Sequence, residues 1–465
     1  MTVTPWQQVA LLTPLPPQRT GIADHSAALL QPLAERFDLE VFTDEPERSA
    51  AALRCGLPLR RFRDFTSVAS HVAIYQLGNH AGHHAEIYDL ARQLPGIAVL
   101  HEYVLHDLVR DRAYAHGGPR AWNEELRYAL GRSGERLTAL LAAGGEQPSP
   151  FDWPLFERVV DASLAVIVHS RAARDRIAKS RPLASVHIAP LALPHPPDLR
   201  SPAAALRQEL EIPERALVIG AFGVAAASKR LDVVLRAFGR LAAARPDCML
   251  MVVGPESPSF LRRSGGLGSQ AASRVRVLDR VSFDRLQAAM AATDVGVNLR
   301  YPTGGETSST CLRLLGMGCP VVVSDTGWFA EIPDSCCAKV PVDSLEEPTL
   351  DAVLETLLAR PELRRTLGES AAHWTRDHHS VEAAVEAYAA VVETVAGTRG
   401  GRAAPSRPLR AGVPPPPLSP YSRDDVDTEV LTEVAAALGD LGVTEADEEI
   451  LRAVAHRVAE LGVSR

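Results

Sequence analysis

The chain has 465 residues, 46% hydrophobic and 23% charged, with a formal net charge of −8. That length suits two or three domains with cores of their own, and the composition is that of a soluble globular protein. An acidic balance without a basic stripe argues against a nucleic-acid partner, no apolar run reaches the roughly 18 residues of a membrane span, and six scattered cysteines indicate neither a disulfide framework nor a CxxC zinc site.

The first residues, Met1 to Gln8, lack the charged and apolar regions of a signal peptide, so a cytoplasmic location with reduced thiols is expected. A peripheral membrane contact stays open. Strands are predicted over Val9–Thr13, Leu39–Phe42, His71–Leu77, Ile97–His101 and Leu164–His169, with helices over Ile22–Arg36 and Glu86–Gln93. These strands read as continuous Val/Ile/Leu runs, the pattern of strands buried on both faces of a parallel sheet. After Pro194-His-Pro-Pro197 the pattern restarts with Leu217–Gly220, Met249–Val253, Val275–Leu278, Val295–Leu299 and Pro320–Ser324. The expected fold is α/β: two Rossmann-like, doubly wound domains, 1–195 and 196–396, facing a shared cleft. A Pro/Gly-rich linker follows over 397–423, then a small helical module over 424–465 that would dock a protein partner or a second copy of the chain.

Only three lysines occur, and Lys229 stands in Gly220-Ala-Phe-Gly-Val-Ala-Ala-Ala-Ser-Lys-Arg230, between an apolar strand with its small-residue loop and an amphipathic helix. Backbone N–H groups, the positive end of a helix and a compact ammonium together suit an anion. A second constellation runs from Asn298 to Ser324. There Gly304-Gly305 allow a close backbone approach, Glu306 precedes Thr307 and Ser308 at a helix start, and Gly318-Cys-Pro320 returns the chain to a strand. Glu306 either caps that helix or holds sugar hydroxyls; the residues alone leave both open. His101 and His106 are five apart, about 140° around a helix, so a shared zinc is not predicted. His80, His83 and His84 read as a solvated loop on the cleft rim, and Cys311 and Cys319 as packing.

With both constellations in view, residues 8–395 resemble the GT-B glycosyltransferases of family 4 (group 1), most specifically from Gly220 to Glu331. The resemblance implies a retaining, metal-independent transfer from a nucleotide-sugar donor to an unknown acceptor, with no further cofactor. It implies that Lys229 neutralises the leaving diphosphate, that Glu306 holds donor-sugar hydroxyls beside the amides of Thr307 and Ser308, that Gly21 lets the first loop approach the phosphates, and that His101 lies over the donor sugar. Two positions depart from the family pattern. Val224 occupies the usual arginine place, with Arg230 or Arg300 as candidate replacements. Arg313 stands where a ribose-binding glutamate is usual, and it accepts no hydrogen bonds from ribose hydroxyls. These departures leave two other readings: a non-catalytic GT-B partner subunit, or a GT-B nucleotide-sugar epimerase.

Overall fold

The computed structural model describes residues 7–53, 56–66, 71–145, 149–264 and 268–400. The linker beyond Gly400 and the module expected over 424–465 lie outside the described residues.

Seven strands build the first sheet: β1 (Gln8–Leu12), β2 (Asp38–Thr43), β3 (Leu59–Arg61), β4 (Val72–Leu77), β5 (Ile97–Leu100), β6 (Ala165–Val168) and β7 (Val186–Ile188). They lie in the order β3-β2-β1-β4-β5-β6-β7, every neighbouring pair parallel. Every position of β4, β5 and β6 is buried, as the unbroken apolar runs require. The second sheet holds β8 (Leu217–Phe222), β9 (Cys248–Val253), β10 (Val275–Leu278), β11 (Val295–Asn298), β12 (Val321–Ser324) and β13 (Cys337–Val340), in the order β10-β9-β8-β11-β12-β13, again all parallel. In both sheets the order reverses beside the first strand, between β1 and β4 and between β8 and β11. Loops leaving the carboxyl ends of those strands diverge there, and the divergence opens a crevice.

Two expectations are corrected. The second helix begins at Ala81 rather than Glu86, so His83 and His84 are helical; His84 is buried, its Nδ1 set 3.1 Å from the Gln76 carbonyl. The domain boundary at 396 also moves. The helix Val381–Gly400 returns to the first domain, where Ala384, Tyr388 and Val392 join a core with Val9, Leu29, Ile74 and Ile167. Its apolar stripe finds there the outer face of the first sheet beside the Gly21–Ala34 helix.

Candidate functional site

Lys229 ends a short 3-10 turn, Ala227–Lys229, and Arg230 follows in the left-handed region (φ 55°) before the helix Leu231–Ala244 begins. The turn folds the lysine back over the β8 loop, so that a Cβ built on Gly223 would lie 3.6 Å from Nζ. Among the described residues the ammonium has neither a hydrogen-bond nor an ion-pair partner within 4.0 Å. Burial, then the charge of Arg300, lowers its pKa to about 7.

Arg300 reaches the same place from the end of β11. Its side chain is 5% exposed and its Nε lies 3.0 Å from Glu306 Oε1. The Arg300 amide donates to Ser324 Oγ (2.9 Å), which fixes the turn. Arg230, the other candidate for the missing charge, is turned away onto Glu346 (Nε to Oε1 3.1 Å), so of the two only Arg300 stands beside Lys229.

Glu306 does not cap the helix. Its Oε2 accepts from the Gly304 amide (2.8 Å) and from Thr303 Oγ1 (3.2 Å), which closes the loop on itself. Ser308 is the cap: its Oγ accepts from the Cys311 amide (3.3 Å), and the helix runs Ser309–Gly316. The open N–H groups of the first turn therefore start at Ser309, two residues later than the sequence suggests. Thr307 Oγ1 donates to the His169 carbonyl (3.2 Å) and ties this loop to the first domain. The first domain approaches the same helix end through Gly21, where an added Cβ would lie 3.2 Å from Ser309 Oγ. Two helix N-termini thus converge, an arrangement that favours an anion.

Arg313 points to neither loop. Its guanidinium lies 4.6 Å over the Phe283 ring and 3.9 Å from Asp24 Oδ2 of the first domain.

His101, at the end of β5, belongs to a buried group with His25 and His169; ring centroids lie 5.2 Å and 4.6 Å from its own. Hydrogen bonds assign their tautomers. His101 Nε2 faces Gln76 Oε1 at 2.7 Å and carries the hydrogen, leaving Nδ1 bare. His169 Nδ1 faces the Ala189 carbonyl at 2.9 Å, and its Nε2 is buried without a partner. His25 Nδ1 accepts from the Ala192 amide (3.2 Å), so Nε2 carries the hydrogen toward Tyr388 Oη (3.3 Å). The ring nitrogens lie within 4.8 Å of one another, yet His25 has both engaged, and two lone pairs remain rather than three. All three rings titrate below the ordinary histidine value, chiefly through burial.

Sequence reasoning passed over Glu102, Asn79 and Gln76. Glu102 faces the Glu306 loop, and burial, then the charge of Glu306, raises its carboxyl to about 7. Gln76 is fully buried in β4, and its amide also donates to Tyr388 Oη (3.3 Å). The only local signal was polarity inside or just after an apolar strand.

Residues 213–358 match the family described as Glycosyl transferases group 1. The D-inositol 3-phosphate glycosyltransferase of Segniliparus rotundus is 30% identical over 212 residues, 44% of this chain and 46% of that relative, so the match spans less than half of that protein's length. Among solved structures, Anabaena HepE in complex with UDP and glucose aligns with a TM-score of 0.57 at 14% identity, covering 83% of this chain and all of that one. Sucrose-phosphate synthase from Thermosynechococcus elongatus aligns at 0.56 and 15%, covering 84% of this chain and all of that one. These likenesses bear out the GT-B fold, and the family match lies within the second domain.

Proposed function

We propose that this chain transfers a sugar from a nucleotide diphosphate sugar to an acceptor hydroxyl, with retention at the anomeric carbon and without a metal ion. The observation that carries the reading is Lys229: an ammonium without a hydrogen-bond or ion-pair partner among the described residues, set beside Arg300, Glu306 and Glu102. A diphosphate leaving group supplies the missing counter-charge, and Lys229 with Arg300 stabilises the charge that develops as the glycosidic bond breaks. The open N–H groups at Ser309 and Thr310 receive phosphate oxygens. His101 presents its bare Nδ1 as an acceptor for a sugar hydroxyl, and Glu306 adds acceptor capacity from the opposite wall. In a front-face displacement the departing phosphate takes the acceptor proton, so no dedicated base is required. A cytoplasmic setting is proposed with it, since five cysteines are buried as free thiols.

Calorimetric titration with UDP, GDP and ADP tests the reading: wild-type protein binds one of them, and Lys229→Ala weakens that binding by tenfold or more. Equal binding by both proteins would remove the assignment. Binding of none would favour the non-catalytic partner subunit.

A further inference from the structure

Glu102 leaves β5 directly after His101. Its Oε1 accepts from the Asn79 amide at 2.9 Å. Asn79 is itself locked: its Oδ1 accepts from the amides of Asp107 (2.8 Å) and Leu108 (3.1 Å), and its Nδ2 donates to Asp107 Oδ2 (3.2 Å). The carboxylate is thus held from behind by the backbone amide of a residue whose side chain is fixed on a helix N-terminus.

Its other oxygen has no such partner. Among the described residues nothing donates to Glu102 Oε2, and no cation comes within 4.0 Å of the carboxylate. A Cβ built on Gly304 would lie 3.4 Å from Glu102 Oε2 and 3.3 Å from Glu306 Oε2, so the two carboxylates flank one point from opposite domains. Backbone contacts fix that approach: the amides of Tyr103 and Val104 both donate to the Gly304 carbonyl, at 2.9 and 3.2 Å. Gly305 (φ 84°) permits it, because a side chain there would collide with the Tyr103 ring at 2.1 Å. The charged groups facing Glu102 are Glu306, Arg300 and Lys229.

A partly buried carboxylate oxygen beside a second carboxylate is unfavourable unless a donor reaches it. Lys229 is reserved for an anion and Arg300 is held by Glu306, which leaves ligand hydroxyls. We infer that Glu102 is a sugar-binding residue whose free Oε2 accepts a hydrogen bond from a hydroxyl of the donor sugar, opposite Glu306. The inference rests on the nucleotide-sugar reading above. It gives the nucleotide and the sugar separate holds: the diphosphate meets Lys229 and the helix ends, whereas the sugar is gripped from both domains. A donor lacking that hydroxyl leaves Oε2 unpaired and is rejected accordingly.

The test is calorimetry on wild type, Glu102→Ala and Glu102→Gln. It uses whichever pair wild type binds from UDP with UDP-glucose, GDP with GDP-mannose and ADP with ADP-glucose. In Glu102→Ala the free nucleotide should bind as well as in wild type or more tightly, because a negative charge near Lys229 is gone. The sugar conjugate should bind at least tenfold more weakly. In Glu102→Gln the Asn79 amide claims the single oxygen and an NH2 replaces Oε2, so less than threefold of that loss should be recovered. Unchanged nucleotide binding shows that the variant is folded. Conjugate affinity within twofold of wild type in Glu102→Ala would overturn the inference and leave the donor reading standing. Wild type that binds none of the six ligands would overturn both.

Discussion

Arg300 and Glu306 form an ion pair of 3.0 Å between Nε and Oε1, with the arginine side chain 5% and the glutamate 23% exposed. Val224, where the family resemblance leads one to expect an arginine, is half exposed and brings no charge. Arg300 supplies that charge from β11 and is held in place by the glutamate the sequence singled out. Arg300→Ala leaves Glu306 facing Glu102 without a counter-ion. Breaking a buried pair costs about 3–5 kcal/mol, and the partial exposure of Glu306 brings the expectation down to about 2–3 kcal/mol by the same argument. Urea unfolding measures it; a loss below 1 kcal/mol would show that the pair has no structural weight.

Lys229 gives the nucleotide affinity a pH dependence of known sign. Its pKa falls from the ordinary 10.5 to about 7, so above pH 7 most of the ligand-free protein holds a neutral amine. A bound diphosphate favours the ammonium, and binding must therefore take up a proton. Affinity should decline by up to about tenfold per pH unit above 7. Calorimetry at pH 8.5 in buffers of different ionisation heat should show close to one proton taken up, and none in Lys229→Met. The same shift acts on stability. From pH 7 to 10.5 the unfolded chain binds the extra proton, so the lysine's burial penalty shrinks as pH rises. Glu102, raised from 4.5 to about 7, acts in the opposite sense between those values. An affinity that stays flat from pH 7 to 9 would exclude Lys229 as the phosphate ligand.

The two sheets were legible because parallel strands buried on both faces must be apolar throughout, and β4, β5, β8 and β9 are nearly so. Lys229 stood out in a small-residue loop and Glu306 behind a glycine pair, each next to a helix start. Their neighbours did not. Glu102 gains its meaning from Gly304, two hundred residues on, and His25 from Tyr388 and Ala192. The return of Val381–Gly400 was hidden for a similar reason: an amphipathic helix shows in sequence that it has an apolar face, not which sheet receives it. Arg230 was one of two candidates for the charge missing at Val224, yet Glu346, a far residue of opposite charge, claims it.

Gln76 holds the tautomer of His101. It is buried in β4 and places Oε1 2.7 Å from His101 Nε2 while its amide donates to Tyr388 Oη. Gln76→Leu leaves His101 Nε2 unpaired in the core, at about 1–3 kcal/mol for an unsatisfied buried group, while Tyr388 Oη keeps His25 Nε2. The ring also loses the contact that puts hydrogen on Nε2. Histidine ¹⁵N spectra should show a single Nε2–H tautomer for His101 in wild type and a mixture in Gln76→Leu. An unchanged tautomer would mean that the packing of His25 and His169 alone fixes the ring.

The family resemblance leads one to expect a ribose-binding glutamate where this chain has Arg313, so introducing a glutamate there is an informative substitution. In this chain the guanidinium is sandwiched between the Phe283 ring at 4.6 Å and Asp24 at 3.9 Å, with its side chain 13% exposed. Asp24 already titrates above its ordinary value, through burial that Arg313 only partly offsets. Arg313→Glu would set two carboxylates face to face and remove a cation–π contact worth roughly 0.5–1 kcal/mol at a partly exposed ring. We expect a loss of about 1–2 kcal/mol, since Asp24 can take up a proton instead of bearing the full repulsion. Because Asp24 lies on the helix after β1 and Arg313 on the helix after β11, the repulsion acts between the domains, and nucleotide affinity should fall rather than rise. Adding Asp24→Asn should recover most of the lost stability, whereas a mere loss of packing on Phe283 would be untouched by it. Tighter nucleotide binding by Arg313→Glu at undiminished stability would instead show that the ribose pocket is intact and lacks only its carboxylate.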